Sequence, residues 1–231
     1  MQILQEVVYE ERDALNVSGK LPGMSDDIVL VHSHHDAVCE GAVQDASGMS
    51  EVFALAKYFA ELPKEAREHT MMFAATDSHY TDYEGHAQFV EERKKQGDHI
   101  ILDCCIEHIA REMDLDEDYN IVMKDEPETR MMYVSDQGEL IPQTRELLAK
   151  YGLDKTFLFP VHGESAGAYT HEDVCSDAYV FDAVGIPVVS ILAAPMYLFH
   201  NTDTLDKVYV PGLRPIGMAY AELITNMKPL D

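Results

Sequence analysis

The chain has 231 residues and a formal net charge of −25, from 42 acidic residues against 17 basic ones. This length fits one globular domain, or at most two small ones, with a core that needs no disulfide or metal to fold. Because so acidic a surface repels phosphate groups, we expect no nucleic-acid partner and no membrane partner.

The four cysteines lack the spacing of a zinc ribbon or of a secreted disulfide scaffold. Cys104 and Cys105 are adjacent within an apolar run, which is typical of a buried strand. The sequence has no stretch long and apolar enough to cross a membrane, and its first residues lack a signal-peptide core. We therefore expect a reducing compartment and a cytoplasmic location.

Short apolar runs alternate along the chain with longer amphipathic ones. The apolar runs predict strands, and the amphipathic runs predict helices with one apolar face. In chain order these are a strand over 28–32, a helix over 50–62, a strand over 70–75, a helix over 84–96, a strand over 99–106, helices over 139–151 and 175–184, a strand over 187–192 and a helix over 210–227. The charged stretch over 111–129 is either an excursion from the sheet or a flexible loop.

This alternation predicts an α/β fold, a three-layer sandwich in which helices cover both faces of a mostly parallel central sheet. In such a sheet, ligands bind beyond the carboxyl ends of the strands. Histidines and carboxylates follow four of the predicted strands: His34, His35 and Asp36; Asp77 and His79; Glu107 and His108; and His200 and Asp203. Because histidine with carboxylate is the ligand set of zinc and related ions, their convergence predicts a metal site.

Each candidate also has a plainer interpretation, and the residues alone leave both open. His34 either binds a metal, with Asp36 orienting its ring, or lies in a surface loop with incidental histidines. Asp45, in the motif GAVQDASG over 41–48, either contributes its carboxylate to the ligand site or caps the next helix. Either Glu107 or Asp103 is the buried acid of the strand over 99–106, and a buried carboxylate needs a partner or a cation.

The motifs occur in the order HHD (34–36), GAVQDASG (41–48), FAATDSH (73–79), CIEHIA (105–110), SDAYVFDAVGIPVVSIL (176–192) and HNTDTLDKV (200–208). In this order the chain resembles the co-catalytic zinc aminopeptidase family, which includes bacterial leucyl aminopeptidases, aminopeptidase Y and glutaminyl cyclases. The resemblance spans roughly residue 16 to the C-terminus. It implies a zinc-aminopeptidase-like fold and one metallopeptidase-like catalytic domain over 1–231, without the family's N-terminal helices.

Carried over to the matching positions, the resemblance implies that His34 binds the first metal, supported by Asp36, and that His200 binds the second. Glu107 falls where the family has an aspartate ligand. Asp177 matches a residue that shapes the substrate pocket without binding metal. We place Gln44 and His108 in that pocket as well.

The chain departs from the family at two positions. The metal-bridging aspartate falls on Gln44, whose neutral amide is a poor bridge between two cations, so either Asp45 takes over or only one metal binds. The family's glutamate pair falls on Thr76 and Asp77, or on Ser78 and His79 if the loop is one residue longer. We therefore predict Asp77 as the catalytic base and His79 as a metal ligand.

These observations predict a metal-dependent hydrolase, of the aminopeptidase or amidohydrolase type, that cleaves amide bonds in short peptides or small molecules. It would use one or two divalent ions, zinc first, although manganese and iron also suit the ligands. One alternative is a single-metal enzyme of the same fold that acts on a cyclic amide or another non-peptide substrate. Another is a non-catalytic binding module. A homo-oligomer is expected, although the sequence does not determine the oligomeric state.

Overall fold

The computed structural model describes residues 4–162 and 174–230. Its strands are β1 (Val17–Leu21), β2 (Ser25–His34), β3 (His69–Thr76), β4 (Ile100–Ile106), β5 (Arg111–Leu115), β6 (Ile121–Pro127), β7 (Arg130–Ser135), β8 (Thr156–Val161) and β9 (Val188–Ala193). Its α-helices are α1 (Gly48–Glu61), α2 (Glu84–Lys95), α3 (Leu140–Lys150), α4 (Tyr179–Asp182) and α5 (Val210–Thr225). Within these described ranges, no helix combines the length and the apolar character that a membrane span requires.

Seven strands form one sheet in the order β1-β3-β2-β4-β9-β7-β8. The four central strands, β3, β2, β4 and β9, are mutually parallel, whereas β1 is antiparallel to β3 and β7 is antiparallel to β9. The carboxyl ends of the four parallel strands therefore meet at one edge of the sheet. The predicted α/β sandwich with a mostly parallel central sheet is confirmed.

Helices cover both faces of the sheet, so the central strands are buried on both sides. On one face Val29, Val31, Cys104 and Ile106 pack in a core with α1 and α5. On the other face Leu30 and Cys105 pack with Phe89 of α2 and Phe181 of α4. Because successive side chains of a strand point to opposite faces, the adjacent Cys104 and Cys105 lie in different cores.

The predicted elements exist with shifted ends, and three strands of the sheet had no prediction. β1, β7 and β8 were missed. β1 and β8 are edge strands and are largely exposed, whereas β7 is a buried internal strand whose short apolar run was not singled out. The charged stretch over 111–129 contains β5 and β6, which form a separate two-stranded antiparallel sheet, so it is an excursion from the main sheet. The helix predicted over 175–184 is reduced to the four residues of α4.

A buried acid on α1 gives a prediction about stability. Glu51 faces α5, against Gly217, and burial raises the pKa of its carboxyl to about 7. The folded protein therefore holds a proton there that the unfolded chain releases above its ordinary pKa, so stability falls as pH rises from about 5 through 7. We expect Glu51→Gln to remove this loss and to stabilise the protein at pH 8 by up to about 3 kcal/mol.

The measurement is urea unfolding of both proteins across this pH range. Glu61→Gln is the matched control, because Glu61 lies on the same helix and its side chain is exposed. Equal pH slopes for wild type and Glu51→Gln would contradict the assignment.

Candidate metal centre

Four side chains meet beyond the carboxyl ends of the parallel strands. His34 ends β2, His79 follows β3, Glu107 follows β4 and Asp177 precedes α4. One potential ligand atom of each lies within 4.8 Å of those of the others. We call these four residues the outer cluster. It is the kind of histidine and carboxylate set that binds zinc and related divalent ions.

The ring of His34 is held in one orientation. Its Nδ1 lies 3.0 Å from the carbonyl oxygen of Asp36 and 3.3 Å from the Asp36 carboxylate. Its Nε2 is buried and has no hydrogen-bond partner within the described residues. A buried nitrogen without a partner is costly unless something binds it. Nε2 is thus the atom free to bind an ion, and metal binding by His34 with support from Asp36 stays a prediction.

His79 stacks on His34, with ring centroids 4.0 Å apart and planes 14° apart. Its Nδ1 lies 2.5 Å from Oδ1 of Asp177, and its backbone amide donates to Asp36 at 3.1 Å. Asp177 is fully buried and also contacts Nε2 of His86 through its second oxygen, at 2.8 Å. Asp177 is thus fixed between two histidines at the base of the cluster.

Glu107 completes the cluster from β4. Its Oε1 accepts hydrogen bonds from the backbone amide of Asp177 at 3.2 Å and from the Cys105 thiol at 3.1 Å. Burial and the nearby charge of Asp177 raise the pKa of Glu107 to about 7. The carboxylates of the cluster therefore lie close enough to repel one another.

The electrostatics of the cluster favour a cation at this position. Burial opposes the charged form of His34, yet the Asp36 hydrogen bond and the charges of Asp177, Asp45 and Glu107 raise its pKa to about 10. The carboxylates thus stabilise positive charge strongly where His34 lies. A divalent ion supplies that charge in place of protons, so the donors fit a metal.

Asp45 lies in the turn before α1. Its Oδ1 accepts hydrogen bonds from the backbone amides of Gly48 and His108, at 3.3 and 3.0 Å, and its Oδ2 accepts one from the Ser33 hydroxyl. The carboxylate thus ties this turn to β2 and to the end of β4. Asp45 is outside the outer cluster, and its role as a ligand stays a prediction.

His108 presents a free nitrogen to the buried interior. Its Nδ1 donates to the carbonyl of Ala193 at 2.9 Å, whereas its Nε2 is buried and has no hydrogen-bond partner in the described ranges. Burial and the charge of His34 lower the pKa of His108 to about 3, so the ring is neutral and Nε2 is an acceptor. This suits the predicted contact with substrate.

Gln44 and His200 are not part of the outer cluster, and both line one small pocket together with Tyr80, Phe199 and Asp203. Both side-chain polar atoms of Gln44 are buried and have no hydrogen-bond partner among the described residues, whereas its backbone amide donates to Asp203 at 3.0 Å. His200 is exposed, and its Nδ1 contacts the Thr202 hydroxyl at 2.9 Å. Metal binding by His200 and substrate binding by Gln44 stay predictions.

Asp77 points away from the outer cluster, toward the segment before β1. Its carboxylate accepts hydrogen bonds from the backbone amides of Leu15 and Ser78, at 2.9 and 2.6 Å, and lies 3.7 Å from His35. Its own backbone amide donates to Asn16. The structure therefore brings His79 into the cluster and leaves Asp77 outside it, and the roles of His79 as a ligand and Asp77 as a base stay predictions.

Gly48 is the position where α1 approaches the site most tightly. A Cβ at this residue would overlap the carbonyl oxygen of Ile106 and come within 2.6 Å of Asp45 Oδ2 and Ser33 Oγ. We expect Gly48→Ala to lower the free energy of unfolding by at least about 1–3 kcal/mol. Thermal unfolding measures this loss, and Gly19→Ala is the control because a Cβ there meets nothing within 4 Å. Equal melting temperatures for the two variants would contradict the packing.

Aromatic rings surround the outer face of the cluster. Tyr80 and Tyr83 contact His79 edge to face, with centroids 4.8 and 5.1 Å away, and Tyr80 also meets Phe199 at 6.0 Å. Rings in this position offer an apolar contact surface next to the polar donors.

The sequence of the chain matches a known family over nearly its whole length. The family model described as Peptidase family M28 matches residues 16–224. The chain belongs to peptidase family M28. This confirms the resemblance to co-catalytic zinc aminopeptidases on which the site residues were first assigned. Among curated proteins, none matches this M28 chain.

Solved structures share the fold of this M28 chain at low sequence identity. The aminopeptidase from Aneurinibacillus sp. strain AM-1 is 19% identical with a TM-score of 0.63, covering 94% of this chain and 50% of its own. A Zn-dependent exopeptidase from Parabacteroides distasonis is 15% identical with a TM-score of 0.64, covering 92% and 78%. Tannerella forsythia glutaminyl cyclase is 14% identical with a TM-score of 0.64, covering 93% and 79%. This chain spans about half the length of the first of these.

Sequence reasoning did not anticipate two features of the candidate site. The assignment of Asp177 to the substrate pocket stays a prediction, and the structure adds that its carboxylate lies among the candidate metal donors. His86 was not singled out at all, although it is fully buried and contacts Asp177. A histidine at the third position of a polar helix, followed by the buried Phe89, is the signal that could have drawn attention to it.

Proposed function

We propose that this chain is a metal-dependent hydrolase that cleaves amide bonds in short peptides or small molecules. The observation that carries the proposal is the outer cluster, in which the buried and unpartnered Nε2 of His34 lies among three further donor groups. The M28 assignment supports the same reaction class. A divalent ion held there would polarise an amide carbonyl and lower the pKa of water toward neutrality.

The residues around the cluster would divide the remaining tasks. His34, His79, Glu107 and Asp177 hold the ion, and Asp36 keeps the His34 ring in position. The neutral Nε2 of His108 accepts a hydrogen bond from an N–H group of the substrate. The rings of Tyr80, Tyr83 and Phe199 favour a substrate with an apolar side chain next to the scissile bond.

Two carboxylates are candidates for the proton acceptor. The sequence points to Asp77, whereas Glu107 is the carboxylate within the cluster itself. Asp77→Asn and Glu107→Gln separate the two, since each change removes the charge and keeps the shape. If Glu107→Gln retains its metal and loses hydrolysis, Glu107 is the acceptor and not a ligand. If Glu107→Gln loses its metal, Glu107 is a ligand, and loss of hydrolysis by metal-loaded Asp77→Asn identifies Asp77 as the acceptor.

The test of the proposed function is hydrolysis of a substrate panel by protein purified without chelator. The panel contains aminoacyl anilides, dipeptides and tripeptides with apolar or charged first residues, and cyclic amides. Release of the first amino acid, faster for apolar residues and abolished by chelation, is the expected result. Bound metal without turnover of any substrate would overturn hydrolysis and favour a binding module.

One observation favours a second candidate, a single-metal enzyme that acts on a cyclic amide. Gln44 stands where the family resemblance places a bridging carboxylate, and its amide cannot join two cations. A solved structure of the same fold is a glutaminyl cyclase, 14% identical to this chain. Turnover of cyclic amides, with none of aminoacyl anilides, would select this candidate.

A further inference from the structure

A column of polar side chains runs from the outer cluster down into the core. On the face of the sheet that α2 and α4 cover, β2 carries His32 below His34, and β4 carries Cys105 and Asp103 below Glu107. His32 is paired with Cys105 in the parallel ladder between these strands. His32, Cys105 and Asp103 are all 0% exposed. Polar side chains buried so deeply need partners, and the hydrolytic role of the outer cluster does not use them.

His32 has the orientation of a metal-binding histidine. Its Nε2 lies 3.0 Å from Oδ1 of Asp103, an ion-pair distance without hydrogen-bond alignment. Its Nδ1 is also buried and has no hydrogen-bond partner in the described parts of the chain. A carboxylate on one ring nitrogen with the other nitrogen free is the usual arrangement around a protein-bound zinc ion. Asp103 would therefore fix the ring, and Nδ1 would be the nitrogen available to an ion.

Two further donors lie at the same place. Ligand atoms of His32, Cys105 and Asp177 lie within 4.8 Å of one another. Asp177 belongs to the outer cluster too, and its two oxygens face different ways. Oδ1 contacts His79, whereas Oδ2 contacts His86, whose ring centroid is 6.0 Å from that of His32. Asp177 is thus placed between the outer cluster and this deeper group.

We propose that His32, Cys105 and Asp177 form a second, fully buried site for a zinc-type divalent ion, with Asp177 shared between it and the outer cluster. We call it the inner site. Its nitrogen, thiolate and carboxylate donors are those that zinc accepts together in proteins. His86 and Asp103 hold Asp177 and His32 in place. The site requires no catalytic role for the outer cluster, so it does not rest on the proposed function.

Binding at the inner site has a defined balance of charge and protons. The Cys105 thiol now donates to Glu107, and the ion would replace the thiol proton, which is released to solvent. One divalent ion then faces a thiolate and a shared carboxylate, so the buried charge is largely neutralised. The ion would be a structural one, because water does not reach it.

The test uses cobalt, whose bond to a thiolate gives an intense near-ultraviolet charge-transfer band that histidine and carboxylate ligands do not give. The full chain is produced in zinc-depleted medium with cobalt, so that the ion can enter during folding. Cobalt per chain and the absorption spectrum are compared for wild type, Cys105→Ser, Cys104→Ser and His34→Ala. Cys104 is the matched control, because it is adjacent and equally buried but belongs to the opposite core.

We expect the thiolate band in wild type, in Cys104→Ser and in His34→Ala. Cys105→Ser should lose the band and should also lose about one equivalent of bound cobalt. Bound cobalt without a thiolate band, or a band that survives Cys105→Ser, would overturn the inner site and leave the outer cluster intact. If His34→Ala keeps the thiolate band and binds as much cobalt as wild type, metal binding at the outer cluster would be overturned instead. Absence of all bound cobalt would overturn both.

Discussion

Replacing His34 with alanine should abolish metal binding at the outer cluster and lower kcat/KM by more than about 100-fold. Loss of residues that merely orient a metal ligand typically costs 10- to 100-fold, so loss of a ligand should exceed that range. His34 is buried at the end of β2, and its unpartnered Nε2 lies among the other three donors. Alanine removes this donor and offers no substitute.

His35→Ala is the matched control for this prediction. His35 is the next residue, but it is exposed and contacts the carbonyl of Leu15 through Nε2. We expect His35→Ala to retain its metal and at least most of its activity. The measurements are elemental mass spectrometry of metal per chain and kcat/KM on the best substrate. Full activity in His34→Ala would refute the assignment of the outer cluster.

Breaking the pair of His32 and Asp103 should be the most destabilising single change in the polar column. Burial opposes the charge on His32, but the carboxylates of Asp103, Asp177 and Glu107 outweigh it and raise the pKa of the ring. Asp103→Leu would leave the buried His32 ring, whose charged form these carboxylates favour, without its nearest carboxylate. In metal-free protein we expect the free energy of unfolding to fall by about 3–5 kcal/mol.

A double-mutant cycle separates loss of the pair from loss of packing. His32→Leu should also destabilise the protein, since it leaves the Asp103 carboxyl buried alone. The double variant His32→Leu with Asp103→Leu should recover most of the loss, because it buries two apolar groups with no charge. Urea unfolding in the presence of chelator gives all four free energies. Additive effects of the two changes would show that the pair does not interact.

The strands that carry the site could be predicted because their apolar runs are long and buried on both faces. The run over 99–106 predicted β4 almost to the residue, with Glu107 directly after it. The run over 28–32 located β2, although the strand continues to His34 because neighbours on both sides supply its hydrogen bonds. The length and hydrophobicity of these apolar runs thus sufficed to predict that His34 and Glu107 lie at the same edge of the sheet.

The loops after the strands could not be predicted in the same way. A loop has no repeating period, so the sequence gives no reason for Asp77 or His79 to point toward the metal. In the structure Leu15 and Asn16, from the segment before β1, hold Asp77 by hydrogen bonds. Those contacts span 62 and 61 positions of the chain, and they direct Asp77 outward while His79 turns inward.

The sequence by itself determined the fold class, the edge of the sheet at which the site lies, and the M28 motifs that gave the first ligand assignments. Only the tertiary structure decided that Asp177 joins the cluster and that His32, Cys105 and His86 surround it from below. Asp177 lies 98 positions from His79 and 91 from His86. Packing of the segment before α4 on β2 and β4 brings these groups together, and local sequence patterns do not encode contacts over such separations.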